Sequence, residues 1–277
     1  MHDILRTDLI TGLKLLWKEC FSEDDDAYID FFFQNRFDEK NLYYEMENGE
    51  IYAAVHLLPC YVTIDGREQK ALYGYAGGLR KKFRGLDRFK GVVENMLQKN
   101  PNVFLFCPKE SLVDYYKQMG FVPCFCQDMI ETDEALQDEN KKNDLKISPL
   151  ESAAYENMRN DFFQGEGYVR WDLNAIDYAL KEKRFCGGFT HLLHYKEHQY
   201  ALIGEVKDQQ LILEETTIPE EQLYDLLPSL CNIYGASRGT AYVRGKKTSD
   251  PMCKKHLIGM SNHLITHQNA YMGLTLI

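Results

Sequence analysis

Two turn dipeptides, Asn48-Gly49 and Asp65-Gly66, separate three runs rich in β-branched and aromatic residues: NLYYEM, IYAAVHLLPCYVTI and QKALYGYAGGL. Asn-Gly and Asp-Gly pairs accept positive φ at both central positions, which is what a tight turn between right-twisted strands requires. Residues 41–79 therefore read as an antiparallel three-stranded meander. Such a sheet needs helices or a second sheet to cover its apolar face, so whatever flanks it must be amphipathic.

The flanks meet that demand. MHDILRTDLITGLKLLWKECF alternates charge with Leu and Ile at helical spacing, and GVVENMLQ puts Val92, Val93, Met96 and Leu97 on one helix face. NVFLFC, residues 102–107, is a short apolar run that reads as a buried strand. KESLVDYYKQM reads as a helix stopped by Gly120, and FVPCFCQDMI as a returning strand. The fold class is α/β of the α+β kind: a mixed, mostly antiparallel sheet flanked by helices.

At 277 residues the chain exceeds the usual one-domain range of roughly 100–200 residues. Residues 127–151 turn polar and charge-rich and lose apolar periodicity, which places a boundary near 140–148 and divides the chain into 1–140 and 148–277. The second part runs through helices over 150–183, strands in GFTHLLHY, QYALIGEV and QLILEETT, a helix in PEEQLYDLLPSLCNIY, a strand in GTAYVRG and a final strand in AYMGLTLI. The order of elements loosely repeats the first part.

A formal net charge of −10 argues against broad nucleic-acid binding, so an anion site has to be local. The first residues lack a basic stretch ahead of an apolar core, and no run approaches 18 apolar residues; the expectation is a cytoplasmic protein with no membrane partner. Eight cysteines lie scattered, mostly inside apolar runs, as buried thiols do. Cys124 and Cys126 are too close for a zinc pair, and His191, His194 and His198 do not share a face, so no metal is expected.

Positive charge is concentrated in RKKFRGLDRFKG, residues 80–91, where Arg80, Lys81, Lys82, Arg84, Arg88 and Lys90 surround the single acid Asp87. Strand, basic turn with Gly85, then helix is an arrangement that receives phosphate, because unpaired backbone N–H groups and the helix dipole both favour an anion there. This stretch resembles the acetyl-CoA motif of the GNAT acetyltransferases. Phe83 takes the motif's aromatic position, Arg84 its Gln/Arg, Gly85 the small residue after it, and Val92 and Val93 the paired aliphatics. FLFCPKESLVDYYKQMGF resembles the family's next strand and helix, with Tyr116 four residues before Gly120-Phe121, where a tyrosine often serves as general acid. The element order is similar to that of tandem GNAT proteins with a degenerate second lobe, since Arg238-Gly239 precedes a strand and not a helix.

The resemblance implies an acetyl-CoA-dependent N-acetyltransferase acting on a small-molecule or peptide amine. Cofactor contacts would come from Gly77, Gly78, Leu79, Arg80, Lys82, Phe83, Arg84, Gly85, Leu86, Asp87, Arg88 and Phe89. Tyr116 would protonate the leaving thiolate; Glu45, His56 or water would take the amine's proton; and the run Glu23 to Asp26 would draw a cationic acceptor or simply start a helix. Asp87 and Phe89 stand where the family has glycines. An Asp there is expected to cap the helix with its carboxylate and compete with the ligand, at a cost of about 3 kcal/mol for a charge some 5 Å from a phosphate. The competing readings are a GNAT-fold binding or sensing protein without activity and, ranked below it, a polyanion contact by the basic turn.

Overall fold

The computed structural model describes residues 6–85, 87–100, 102–133, 144–245, 256–265 and 270–274. The chain forms two compact units, one of Met1–Tyr61, Gln69–Pro123 and Gly259–Leu264, the other of Val62–Glu68, Cys124–Ile258 and Ile265–Ile277.

The first unit opens with helices α1 (Arg6–Cys20) and α2 (Asp26–Asn35). Asp25 caps α2 by accepting from the Tyr28 N–H at 2.8 Å. The meander follows as β1 (Leu42–Glu47), β2 (Glu50–Ile64) and β3 (Arg67–Leu79). Its turns are those the dipeptides specify, with φ of 51° and 81° at Asn48-Gly49 and 52° and 69° at Asp65-Gly66. Leu9, Leu13 and Leu16 of α1 bury against Ile51 and Ala54. A crossover through α3 (Arg88–Lys99), which buries Val92, Val93 and Met96, leads to β4 (Val103–Phe106), parallel to β3. The next helix is shorter than its sequence pattern: a 3-10 turn over Glu110–Leu112 precedes α4 (Val113–Lys117), and Gly120 at φ 87° ends it before β5 (Val122–Thr132).

The second unit also combines helices with an antiparallel meander. After β6 (Leu145–Pro149), α5 (Ser152–Phe163), β7 (Val169–Arg170) and α6 (Leu173–Phe185) come the antiparallel strands β8 (Phe189–Tyr195), β9 (His198–Lys207) and β10 (Gln210–Thr216). Helix α7 (Glu220–Tyr234) then crosses to β11 (Arg238–Arg244), parallel to β10 and antiparallel to β5. Leu223, Leu226, Leu227 and Leu230 of α7 pack with Leu211 and Leu213 of β10. The chain ends its described strands with β12 (His256–Ser261), whose Met260 and Ser261 pair with Phe106 and Leu105 of β4.

The expected final strand in AYMGLTLI is not a strand over the residues described. Tyr271 makes a single bridge to Tyr168, and Gly273 and Leu274 follow at φ 49° and 45°. Two consecutive left-handed residues cannot continue an extended ladder. Backbone bonds of Tyr271 with Val169 at 2.8 Å and Gly167 at 3.0 Å hold the segment together with side chains: the fully buried Arg159 donates to the Met272 carbonyl at 2.7 Å, and Tyr271 Oη donates to Glu215 at 2.8 Å.

Candidate active site

The parallel ladder between β3 and β4 runs from Ala71↔Val103 to Gly74↔Phe106 and stops there, although β3 continues to Leu79. Two residues later Ala76 sits at φ 48°, a left-handed conformation inside a strand. Such a bulge bends the strand and re-aims its side chains. A β-carbon on Gly74 would collide with the Phe106 ring, whereas Tyr75 points to the other face, its ring 5.6 Å from Trp17 and 5.4 Å from Phe32. Past the bulge the alternation has slipped by one: Gly77 faces Val55 and Phe89, and Gly78 faces Cys20 and Leu16 of α1. The two strands therefore part at Gly74 and Phe106, with a glycine-lined β3 edge unpaired by β4 beyond that rung.

The basic turn joins this edge to α3. Lys81–Phe83 form one 3-10 turn, Gly85 lies at φ 108° with open space around it, and Asp87 occupies the N-cap position of α3. The expected capping by Asp87 needs correction. Asp87 is left-handed, φ 54° and ψ 23°, and its carboxylate makes no hydrogen bond to the helix start. A capping residue needs extended backbone to fold its side chain back onto the N2 and N3 donors, so the conformation that replaces glycine also forbids the plug. Phe89 likewise leaves the loop clear, since its ring turns inward against Gly77.

The six cations divide. Arg80 binds Glu19 at 3.0 Å and Glu50 at 3.1 Å, Lys82 pairs with Glu50, and Arg88 pairs with Glu47 at 2.8 Å while lying over the Tyr52 and Phe83 rings. Carboxylates of α1 and the first hairpin thus neutralise half of the knot. Glu19 also accepts the Lys81 backbone N–H, and this bond, ahead of Arg80, holds its carboxyl below the usual range. Arg84 donates Nε to the Leu79 carbonyl at 3.1 Å. Among the described residues, Lys81, Arg84 and Lys90 have no carboxylate partner in these pairs, so the positive charge left over sits around Gly85 and the α3 start.

No family model and no curated protein matches this sequence. Solved structures do. A GCN5-related N-acetyltransferase from Anabaena variabilis ATCC 29413 superposes with a TM-score of 0.69 over 92% of this chain and 70% of its own, at 12% identity. A GCN5-related N-acetyltransferase from Kribbella flavida gives 0.67 over 94% and 69% at 13% identity, and an Enterococcus faecalis V583 protein described as a probable N-acyltransferase gives 0.66 over 93% and 70% at 13%. This chain has the GNAT fold.

Within the GNAT fold the sequence-predicted residues fall in three places. Gly77, Gly78 and Leu79 form the β3 edge that β4 leaves unpaired, Arg80 to Gly85 and Asp87 belong to the turn that follows it, and Arg88 and Phe89 begin α3; Leu86 lies outside the described residues. Tyr116 stands on the Phe106 face of the parting strands, stacked on Phe106 at 5.4 Å and edge-on to Phe121. Burial and the neighbouring Tyr115 push its phenol up to about 12. Tyr115 is itself raised, by burial and then by Asp87, and its hydroxyl meets the Lys90 amide in the first turn of α3.

The two candidate bases lie elsewhere in the GNAT fold. Glu45 accepts from Tyr43 at 2.7 Å, from Asn95 at 3.1 Å and from Tyr52; burial raises its carboxyl, but these donors outweigh burial and leave it lowered. A carboxylate already satisfied three ways has little capacity to take an amine's proton. His56 is 3% exposed and ringed by Trp17, Phe32, Phe33 and Phe37, and burial alone drives its imidazole down to about 3. In the acidic run, Glu23 pairs with Lys109 at 2.5 Å, Asp25 caps α2, Asp26 pairs with Lys18, and Asp24 accepts from Trp17 Nε1 at 2.7 Å. Sequence reasoning missed Ala76 and the contact between the Tyr28 and Tyr75 hydroxyls, 2.6 Å apart. Ala carries no signal for positive φ, and a contact across 47 positions has no local signature.

Proposed function

We propose that this protein is an acetyl-CoA-dependent N-acetyltransferase for a small-molecule or peptide amine, with the first unit as its active lobe. The observation that carries the reading is the parting of β3 and β4 at Gly74 and Phe106, followed along the chain by a basic turn whose helix start Asp87 leaves without a side-chain cap. A β3 edge that β4 leaves unpaired suits a pantetheine arm, which pairs with it as an added strand would, and the basic helix start after Gly85 suits a diphosphate. Lys81, Arg84 and Lys90 supply its countercharge. Coenzyme A chemistry contributes an acyl group activated as a thioester.

The protein's own residues bind, orient and handle protons. Tyr116, held rigid between Phe106 and Phe121, is protonated throughout the physiological range and can donate to sulfur as the thiolate forms. An ordinary thiol has a pKa near 8.5, about 3.5 pH units below that of Tyr116, so complete transfer is uphill by about 5 kcal/mol. Tyr116 therefore acts chiefly as a hydrogen-bond donor to the developing charge, and bulk water completes the protonation. The second unit also has three antiparallel strands followed by a helix and a parallel strand, but α7 begins with Glu220 and Glu221 where a phosphate would sit, so only the first lobe is assigned the coenzyme. A cytoplasmic location goes with this reading, and no described helix is long and apolar enough to cross a membrane.

Calorimetric titration with acetyl-CoA, followed by mass spectrometry of amines incubated with both, tests this directly. Micromolar binding and acetylated product are expected, with Tyr116→Phe lowering kcat about tenfold to a hundredfold. Absence of binding at millimolar acetyl-CoA would remove the enzyme reading and leave the fold.

A further inference from the structure

We propose that a cleft on the β6–β8 hairpin pair of the second unit binds a small hydroxylated molecule by its anionic group, phosphate or carboxylate, with Lys146, Ser148 and Lys196 as donors. The cleft has a volume of about 680 Å³ and is lined by Asp144, Lys146, Ile147, Ser148, His194 and Lys196. That is room for a molecule of metabolite size. None of these residues belongs to the basic turn of the first unit, so the inference goes beyond acetyl transfer and does not depend on it.

Strand pairing brings the polar groups together. β6 lies beside β8 as the last strand in the sheet order, and Lys146 stands directly across from His194 in the antiparallel register. Leu145 and Leu193 are buried in the core of this unit, and Ile147 packs against it. Alternation along each strand therefore sends Lys146, Ser148 and His194 to the opposite face. Lys196 follows at φ 55° in the turn between β8 and β9.

The hydrogen bonds set what each group offers. Ser148 Oγ is 2.9 Å from His194 Nε2, and His194 Nδ1 is 3.4 Å from the amide nitrogen of Gln199, its partner on β9. An amide nitrogen only donates, so Nδ1 accepts, and the ring gives its Nε2 proton to Ser148 Oγ. A nucleophilic serine needs the reverse, a ring nitrogen that takes the hydroxyl proton. Here the Ser148 O–H is left to donate into the cleft. Among the described residues neither Lys146 nor Lys196 has a carboxylate partner, and Lys196 lies over the Tyr195 ring, 4.9 Å from its centroid. In a chain of net charge −10, two such ammonium groups beside an oriented hydroxyl make a locally positive point. Asp144 opposes a bare anion but accepts from a hydroxyl. An anion that also carries hydroxyls, a sugar phosphate or a hydroxy acid, therefore satisfies the whole lining.

Titration calorimetry of the full chain in low-salt buffer with glycerol 3-phosphate, glycerate and glycerol tests the site. The first two probes separate a phosphate from a carboxylate source, and glycerol is expected not to bind. At least one of the acids is expected to bind with a submillimolar Kd. Lys146→Gln and Lys196→Gln should each weaken it about three- to tenfold and Ser148→Ala about threefold, with unchanged denaturation midpoints. Arg84→Gln, at the basic turn of the first unit, should leave it within about twofold. Failure of both acids to bind at about 10 mM, or binding that the three hairpin variants leave unchanged, would overturn the site. Binding lost in Arg84→Gln would place the anion at the turn instead. A fluorophosphonate probe is expected to leave Ser148 unlabelled; labelling that Ser148→Ala abolishes would show that His194 accepts the hydroxyl proton and would overturn the donor role.

Discussion

Gly74 and Phe106 close the parallel ladder, and the Phe106 ring fills the volume that a β-carbon on Gly74 would occupy. The same ring is the platform on which Tyr116 stacks. Gly74→Ala must therefore push Phe106 aside, and Phe106 is buried among close-packed neighbours that yield little. A loss of about 1–3 kcal/mol in urea unfolding is expected. The displacement should also carry Tyr116 off its position, so that kcat falls more in Gly74→Ala than in an equally destabilised variant of the second unit.

Asp87 holds a left-handed backbone at a site where its side chain caps nothing, so its conformational strain and its charge separate by mutation. Asp87→Gly relieves both: folding stability should stay level or rise by under about 1 kcal/mol, and acetyl-CoA affinity should rise about three- to tenfold once screening is allowed for. Asp87→Ala removes the charge but keeps a β-carbon at φ 54°, which gives a comparable affinity gain with a stability loss of about 1 kcal/mol. Titration calorimetry paired with chemical denaturation on both variants reads the two effects apart. Equal affinity in wild type and Asp87→Gly would mean that the carboxylate does not face the diphosphate.

Much of the first unit was legible because its signals are local. Asn48-Gly49 and Asp65-Gly66 set the meander, the Val92, Val93 and Met96 stripe set α3, and the basic turn marked the strand-to-helix junction. Capping by Asp87 was misjudged because N-cap preference describes residues with extended backbone, and the sequence does not state φ. Glu45 and His56 drew attention as titratable groups on strands; only tertiary packing reveals that one is hydrogen-bonded to Tyr43, Tyr52 and Asn95 and the other enclosed by rings. β6 and β12 went unseen, being short runs with weak alternation in LKISP and HLIGMS. The apolar AYMGLTLI read as strand, and what decides its path is a buried side-chain network more than a hundred positions of chain away at Arg159.

That network makes a sharp stability prediction for the second unit. Arg159 donates to Glu215 at 2.8 Å, to Tyr168 at 2.8 Å and to the Val169 and Met272 carbonyls, while Glu215 also accepts from Tyr155 and Tyr271. Burial disfavours the guanidinium's charge, yet the Glu215 carboxylate together with Tyr168, Tyr155 and Tyr271 outweighs it and keeps Arg159 ionised. Removing either partner strands a buried charge, so Arg159→Met or Glu215→Leu alone should cost about 3–5 kcal/mol. The double variant Arg159→Met/Glu215→Leu should recover part of that loss, because two apolar side chains leave no orphaned ion. Denaturation midpoints of the four proteins measure the coupling, and simple additivity would contradict it.

His56 offers the cleanest pH signature of the first unit. Its imidazole is neutral in the folded chain down to about pH 3, whereas the unfolded chain takes up a proton near pH 6.5. Between those limits the unfolded state binds more protons, so folding stability falls as the pH falls, by at most about 1.4 kcal/mol per pH unit from this group; above pH 6.5 its contribution is complete and flat. The lining of Trp17, Phe32, Phe33 and Phe37 accepts another aromatic ring. His56→Phe should therefore leave stability at pH 8 within about 1 kcal/mol and flatten the decline between pH 6.5 and 4, which urea titrations at stepped pH will read. A variant whose acid limb parallels that of wild type would mean that His56 becomes protonated without unfolding, and hence that the ring is reached by water.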